Sequence, residues 1–209
     1  MYLSRVALDI HKRQTMIALA NPQHFHGAIE RAFPGERRRR LWRLDALGDH
    51  LYLLVLSEDR PDLQPVVEQF GTGEAPETKD YQVLLDRVKK DSVWRFRLTA
   101  NPTKSVSNAQ APGTRGKVYA HITTAHQEQW LLDRAEKHGF ALKPGAFTVV
   151  QAQWKRFQKG HKGRPVSLMS VTYEGILKVT DPEAFCQVLT KGMGRGKAYG
   201  QGLMTVMGV

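Results

Sequence analysis

VWRFRLTA, at Val93–Ala100, alternates without a fault: Trp94, Phe96 and Leu98 fall on one side, Arg95 and Arg97 on the other. Successive side chains of a strand point to opposite faces, so the stretch predicts a β-strand with one apolar and one cationic face. Its place in the chain matters as much as its pattern. Before it, residues 3–10 alternate as a strand, and a helix opens near Asn21. Two more strands follow at 39–45 and 51–57, joined by a turn at Gly48-Asp49, then a helix near 63–70. A Gly/Thr/Glu/Pro stretch at 71–78 breaks the pattern, and 81–85 supply a further strand. That order is β-α-β-β-α-β.

From Val93 the order begins again. A polar loop (TKSVSNAQAPGTRGK) leads to a helix over 124–138, with Trp130, Leu131 and Leu132 among its apolar residues and Gly139 as its stop signal. Two long strands at 147–158 and 165–179 flank the tip GHKG. Asp181-Pro182 opens a last helix, and a glycine-rich loop runs into a strand at 203–207. The reading is an α+β protein of two tandem ferredoxin-like (βαββαβ) domains, 1–88 and 89–209, with the boundary around 86–92. No sequence repeat relates the halves; element order alone carries the duplication.

Composition narrows the function. The 209 residues are 41% hydrophobic and 24% charged, as in an ordinary globular protein with a real core. No apolar run approaches the roughly 18 residues that cross a bilayer. The start, MYLSRVALDIHKR, meets charge at once and reads as a strand, not a signal peptide, so a cytoplasmic protein without a membrane partner is expected. Cys186 is the single cysteine, which excludes an internal disulfide and a cysteine zinc site; in AFCQVL it reads as a packed hydrophobe. Thirty-one Lys+Arg against 20 Asp+Glu give a net charge of +11. Such a balance suits a polyanion, and its spread through strands and loops favours nucleic acid over a membrane surface. The plainer reading is a soluble surface that is merely basic.

Three stretches carry candidate chemistry. In NPQHFHGAIERAFP (21–34), Asn21 suits an N-cap and Pro22 the first helical position. Phe25, Ala28, Ile29, Ala32 and Phe33 form an apolar stripe. At about 100° per residue, His24 and His26 lie on opposite flanks of that stripe, so they do not share a metal. A helix start also favours anions, and a phosphate near Gln23 or His24 is a natural ligand. Periodicity does not choose between the two histidines, and either is also an ordinary polar residue at a core's rim.

GMGRGKAYGQG (192–202) fits neither the P-loop nor GxGxxG, and it leaves a helix for a strand, the reverse of both contexts. What remains is a flexible backbone presenting Lys191, Arg195 and Lys197. KRFQKGHKGR (155–164) clusters Lys155, Arg156, Lys159, Lys162 and Arg164 on a hairpin narrow enough for a nucleic-acid groove; its bland counterpart is a solvated hairpin. Arg95 and Arg97 form a phosphate platform on the sheet face, Lys104 adds charge on the polar loop, and ERRRR (36–40) adds to the field or is a solvated connection. No HExxH, GxSxG, paired-magnesium carboxylates or RNP1-like motif occurs, so any cutting of nucleic acid is expected to need no metal and no cofactor.

Six stretches in order resemble one family: MYLSR (1–5), the NPxxxH-type helix ending in Phe33-Pro34, FRLTANPTKSV (96–106), HQEQWLLDRA (126–135), YEGILKVTDP (173–182) and GMGRGKAYGQGLM (192–204). The chain is similar from end to end to CasE, the repeat-processing endoribonuclease of type I-E CRISPR systems. The resemblance implies a RAMP-type pair of ferredoxin-like domains and metal-free cutting of the CRISPR repeat transcript at the 3′ base of its stem-loop. The ribose 2′-OH attacks the adjacent phosphate, leaving a 2′,3′-cyclic phosphate and a 5′-OH. Implied partners are the repeat RNA stem-loop, as precursor and as retained mature crRNA, and the other Cascade subunits.

The family's helix histidine falls on His26, and Arg31 matches a basic position that stabilises phosphorane charge. Relatives often carry tyrosine where this chain has Gln23, which donates a hydrogen bond but does not titrate near neutrality; His24 stands beside it as a helper or a bystander. The resemblance gives the hairpin at 155–164 to the RNA stem and brings the glycine-rich loop near it. The rival expectation is a catalytically silent ferredoxin-like RNA-binding subunit; a DNA-binding scaffold is weaker, because no recognition helix is apparent.

Overall fold

The computed structural model describes residues 1–33, 38–107, 116–160 and 163–209. The protein is α+β, with a four-stranded and a five-stranded antiparallel sheet and a separate two-stranded ribbon. Strand β1 (Tyr2–Leu8) is followed by two helices, α1 (Arg13–Ala20) and α2 (Gln23–Arg31), then by β2 (Leu41–Leu47) and β3 (His50–Ser57). Gly48 turns β2 into β3 at φ +59°. Helix α3 (Gln64–Phe70), β4 (Glu77–Asp80) and the single turn α4 (Gln82–Leu85) complete the first sheet, whose order is β2-β3-β1-β4. The predicted stripe of α2 is buried in full, with Phe25 against Phe70 of α3 and Trp42 of β2 at ring distances of 5.0 and 5.8 Å.

Two elements differ from expectation. Helix α1 lacks an apolar stripe because the residues it buries are small: Ala18, and Thr15, whose hydroxyl donates to the Phe70 carbonyl at 3.0 Å. Met16 and Ile17 point outward. The strand expected at 81–85 lies instead at Glu77–Asp80, where it pairs with β1; Tyr81 begins α4. An edge strand exposed on both faces needs no apolar alternation, so ETKD carries no signal.

The second sheet starts with β5 (Val93–Ala100). The polar loop then contains a two-stranded ribbon, β6 (Thr103–Val106) and β7 (Lys117–Ala120), and leads to α5 (Thr124–Ala135). Thr123 caps α5 by accepting from the His126 N–H, and a 3-10 turn over Glu136–His138 ends at Gly139 with φ +76°. Short β8 (Phe140–Ala141), long β9 (Phe147–Gln158) and β10 (Pro165–Val179) follow, then α6 (Pro182–Lys191) and β11 (Met204–Gly208). Asp181 caps α6 through the Ala184 N–H, as predicted. The order is β11-β5-β10-β8, with β9 also paired to β10. Trp94, Phe96 and Leu98 of β5 sit in a core with Trp130 and Leu131 of α5 and Phe185 of α6.

That core also takes in Leu41, Leu54 and Leu56 of the first sheet, so the two sheets share buried surface. Arg43, on β2, crosses the junction: its guanidinium donates to the carbonyls of Arg97 on β5 and of Leu203, just before β11.

Candidate functional site

Asn21 organises the site. Its Oδ1 accepts the Gln23 N–H at 3.1 Å, which caps α2 by side chain although Pro22 takes the position just before the helix. Its Nδ2 donates to the carbonyl of Gln158 at 3.1 Å. Gln158 ends β9, at the mouth of the basic hairpin, so the start of α2 is pinned to the hairpin across 137 residues of sequence.

The glycine-rich loop closes the third side. Its 3-10 turn, Lys197–Tyr199, packs on α2 and β2. Tyr199 meets Phe157 of β9 edge-on at 4.8 Å. Gly200, at φ +75°, lies over the Trp42 ring, where an added Cβ would come within 2.8 Å of a ring carbon. Trp42 in turn touches Phe25 of α2. Helix, hairpin and loop thus meet through two ring pairs, Phe25–Trp42 and Phe157–Tyr199, with Gly200 packed on the first and next in sequence to the second.

On α2, His24 is exposed and His26 half-buried. Gln23 is half-buried, and its Oε1 has no hydrogen-bond partner among the described residues. Arg31 is exposed, donates to Gln69 Oε1 at 3.1 Å, and folds back along the helix: its Nη1 lies 3.6 Å from where a Gly27 Cβ would stand.

The hairpin presents Arg156, Lys159 and Arg164 to solvent, with Arg156 over the Trp154 ring at 5.9 Å. Lys162 lies outside the described residues. Lys155 turns inward, and burial holds its ammonium below the ordinary lysine range. Lys197 is half-buried; burial and the nearby Arg39 lower its pKa as well. Lys104 and Arg195 come together elsewhere, in a separate cleft with His121 and Arg134 on the α5 side of the glycine loop, where Arg195 reaches Ser105 Oγ at 3.3 Å.

The expected platform of two free guanidiniums needs correction. Arg95 is exposed, but Arg97 forms ion pairs with Glu174 and, at 3.3 Å, with Asp45. Neighbouring carboxylates on β2 and β10 occupy it, which a single strand's alternation does not reveal. In ERRRR, Glu36 and Arg37 lie outside the described residues. Arg38 pairs with Glu58 and Asp59, and Arg40 pairs with Glu30 and covers the Phe33 ring at 4.0 Å. No local pattern marks Asn21 as a link, or singles out Gln158 or Tyr199. Arg43 and Asp45 left one trace, an Arg-x-Asp pair on one face of an otherwise apolar strand.

Among the described residues no group of three or more His, Cys, Asp and Glu side chains is arranged to hold a metal, and no helix is long and apolar enough to cross a membrane.

An α+β scaffold that pins the start of a histidine-bearing helix to a cationic hairpin has the charge distribution of a polyanion-binding protein. The chain belongs to the family of CRISPR-associated proteins, which it matches over residues 1–207. It is 33% identical over 220 aligned positions, spanning 99% of both chains, to the CRISPR-associated endoribonuclease Cse3 of Thermus thermophilus. A structure of CRISPR endoribonuclease Cse3 bound to 19-nucleotide RNA matches with a TM-score of 0.81 at 30% identity, covering 99% of this chain and 100% of the other. Thermus thermophilus Cse3 bound to an RNA representing a pre-cleavage complex gives 0.80 at 29% identity, covering 99% and 98%. The resemblance to the CasE family seen in the motifs is thereby borne out.

Proposed function

We infer that this protein is an endoribonuclease of CRISPR precursor RNA, cutting at the 3′ base of the repeat stem-loop without metal. The likeness to Cse3 over 99% of both chains supports the activity. The bond from Asn21 to Gln158 supports the site, because it joins the histidine helix to the basic hairpin. In this reading the two sheets and their helices are tandem ferredoxin-like domains, 1–88 and 89–209; the strand orders β2-β3-β1-β4 and β11-β5-β10-β9 both fit the βαββαβ pattern.

The reaction needs a proton removed from the ribose 2′-OH and one delivered to the leaving 5′-oxygen. The 2′-oxygen forms a bond to phosphorus as the P–O5′ bond breaks, which leaves a 2′,3′-cyclic phosphate and a 5′-OH. His26 carries one of these protons, since an imidazole can take up or give up a proton near neutral pH, and well-placed proton transfer contributes on the order of 10²–10⁴ in rate. Arg31 offsets the charge that builds on the phosphorane oxygens. Gln23 positions by hydrogen bonding, and its unpartnered Oε1 accepts from the RNA, with His24 at the helix edge beside it. Arg156, Lys159, Lys162 and Arg164 hold stem phosphates, with Lys197 at the loop; Arg195 and Lys104 meet the RNA farther along. The mature crRNA stays bound, and the complex takes its place among the other Cascade subunits.

The test is cleavage of the cognate repeat RNA in EDTA, beside a copy with a single 2′-deoxy at the cut site. Cutting of the first and not the second is the expected result. Binding of both with cutting of neither would establish the silent RNA-binding subunit instead.

A further inference from the structure

A cleft between the two sheets plays no part in the proton transfers assigned to α2. It encloses about 460 Å³ between β2 and the open face of β9 and β10. Gln151, Gln153 and Lys155 alternate along β9 and form one wall with Ser170 and Thr172 of β10. Leu44 and Leu51 give the opposite wall an apolar character.

Lys155 makes no ion pair or hydrogen bond among the described residues, and no Asp or Glu lines the cleft. A partly buried cation without a counter-charge is poorly solvated and gains from an anion placed beside it. The indole N–H of Trp42, also in the lining, is buried without an acceptor among the described residues. The cleft also adjoins the cutting site. Ala20 lines it, the next residue is Asn21, and Asn21 holds Gln158, three positions beyond Lys155.

We propose that this cleft binds the unpaired RNA nucleotides that flank the stem. The proposal rests on the reading of the chain as a repeat-cutting enzyme. An A-form duplex does not fit a space of nucleotide size, whereas a single strand does. Lys155 takes a phosphate, the amides of Gln151 and Gln153 and the hydroxyls of Ser170 and Thr172 meet base edges, and Leu44 and Leu51 pack on a base face.

The test uses the full-length protein with three RNAs made uncleavable by 2′-deoxy substitution: the stem alone, the stem with a short 3′ flank, and the stem with a short 5′ flank. Affinity is read by fluorescence anisotropy at two salt concentrations. One flank is expected to tighten binding by about tenfold, within the range of a stacked base, and to steepen the salt dependence; the arm that does so tells which flank the cleft takes. Gln153→Glu, on an exposed strand position, is expected to abolish that gain and to leave affinity for the stem alone unchanged. No gain from either flank, or equal weakening of stem and flanked RNA by Q153E, would overturn the proposal. Cleavage of unmodified RNA, measured alongside, separates the two readings: normal cutting without a flank effect defeats the cleft alone. A bare single-stranded oligonucleotide, bound in a Q153E-sensitive way or not, judges the cleft even when the stem is neither bound nor cut.

Discussion

Arg43 and Asp45, two residues apart on β2, form a bidentate ion pair at 2.8 and 2.5 Å, with both side chains almost wholly buried. The same guanidinium donates to the Arg97 carbonyl at 2.8 Å, the Leu203 carbonyl at 2.9 Å and the Thr205 hydroxyl at 2.7 Å. One side chain of the first sheet therefore satisfies acceptors at two neighbouring strands of the second, β5 and β11. Removing one member of such a pair leaves the other charge buried and alone, at a cost of about 3–5 kcal/mol. Asp45→Ala is expected to lower unfolding free energy by that amount in urea titration; a loss below about 1 kcal/mol would mean the pair contributes little.

For the chemistry, His26→Ala is expected to slow single-turnover cutting by roughly 10²–10⁴ with RNA affinity retained. His24→Ala, on the exposed flank, should change the rate by less than about tenfold. Equal rates for wild type and H26A would remove His26 from the mechanism.

The hairpin is tested by salt. Arg156→Ala and Arg164→Ala should each weaken binding to the stem and reduce the slope of log K against log salt by about one unit for every phosphate that the guanidinium had neutralised. A parallel shift with unchanged slope would assign these residues to something other than phosphate.

Acid should destabilise the protein through its half-buried histidines. Burial holds the His138 imidazole below its ordinary pKa of 6.5, against the opposing effect of its bond to the Arg134 carbonyl. Burial lowers His121 as well, with His126 adding to the effect. The unfolded chain then binds more protons below 6.5, so this stability is complete at neutral pH and is lost as pH falls through the folded pKa values. Urea midpoints from about pH 7 down to pH 5 should decline, and His138→Gln should flatten the decline.

Gly200→Ala tests the loop. Its φ of +75° disfavours a side chain, and the Trp42 ring leaves no room for one. A loss of about 1–3 kcal/mol is expected from overpacking, together with slower cutting as the Lys197–Tyr199 turn shifts away from α2. Unchanged stability in urea would show that the turn moves freely.

What the sequence revealed was whatever repeats locally. Alternation marked β5, caps at Asp181 and Gly139 marked the ends of helices, and the stripe from Phe25 to Phe33 identified the buried face of α2. Helix α1 stayed hidden because its buried Thr15 is polar and its Met16 and Ile17 are exposed. The site was legible in residue types but not in assembly. His24 and His26 are symmetric by periodicity, and Asn21 meets Gln158 only once 137 residues have folded back. The pairing of Arg97 with Asp45 and Glu174 is likewise a product of three strands that no local pattern connects.

The reach of Arg43 has a consequence in time. Leu203 and Thr205 lie 160 and 162 positions after it, so during synthesis the first sheet emerges long before the acceptors its guanidinium needs. Contacts of such separation are made late, after the loop-closure entropy of the whole intervening chain has been overcome. A ribosome-bound chain that already displays α2 still lacks the hairpin carbonyl at Gln158 to which Asn21 is pinned. The junction between the two sheets is thus closed as one of the last events of folding, and an unfinished copy holds Arg43 and Asp45 without the rest of their partners.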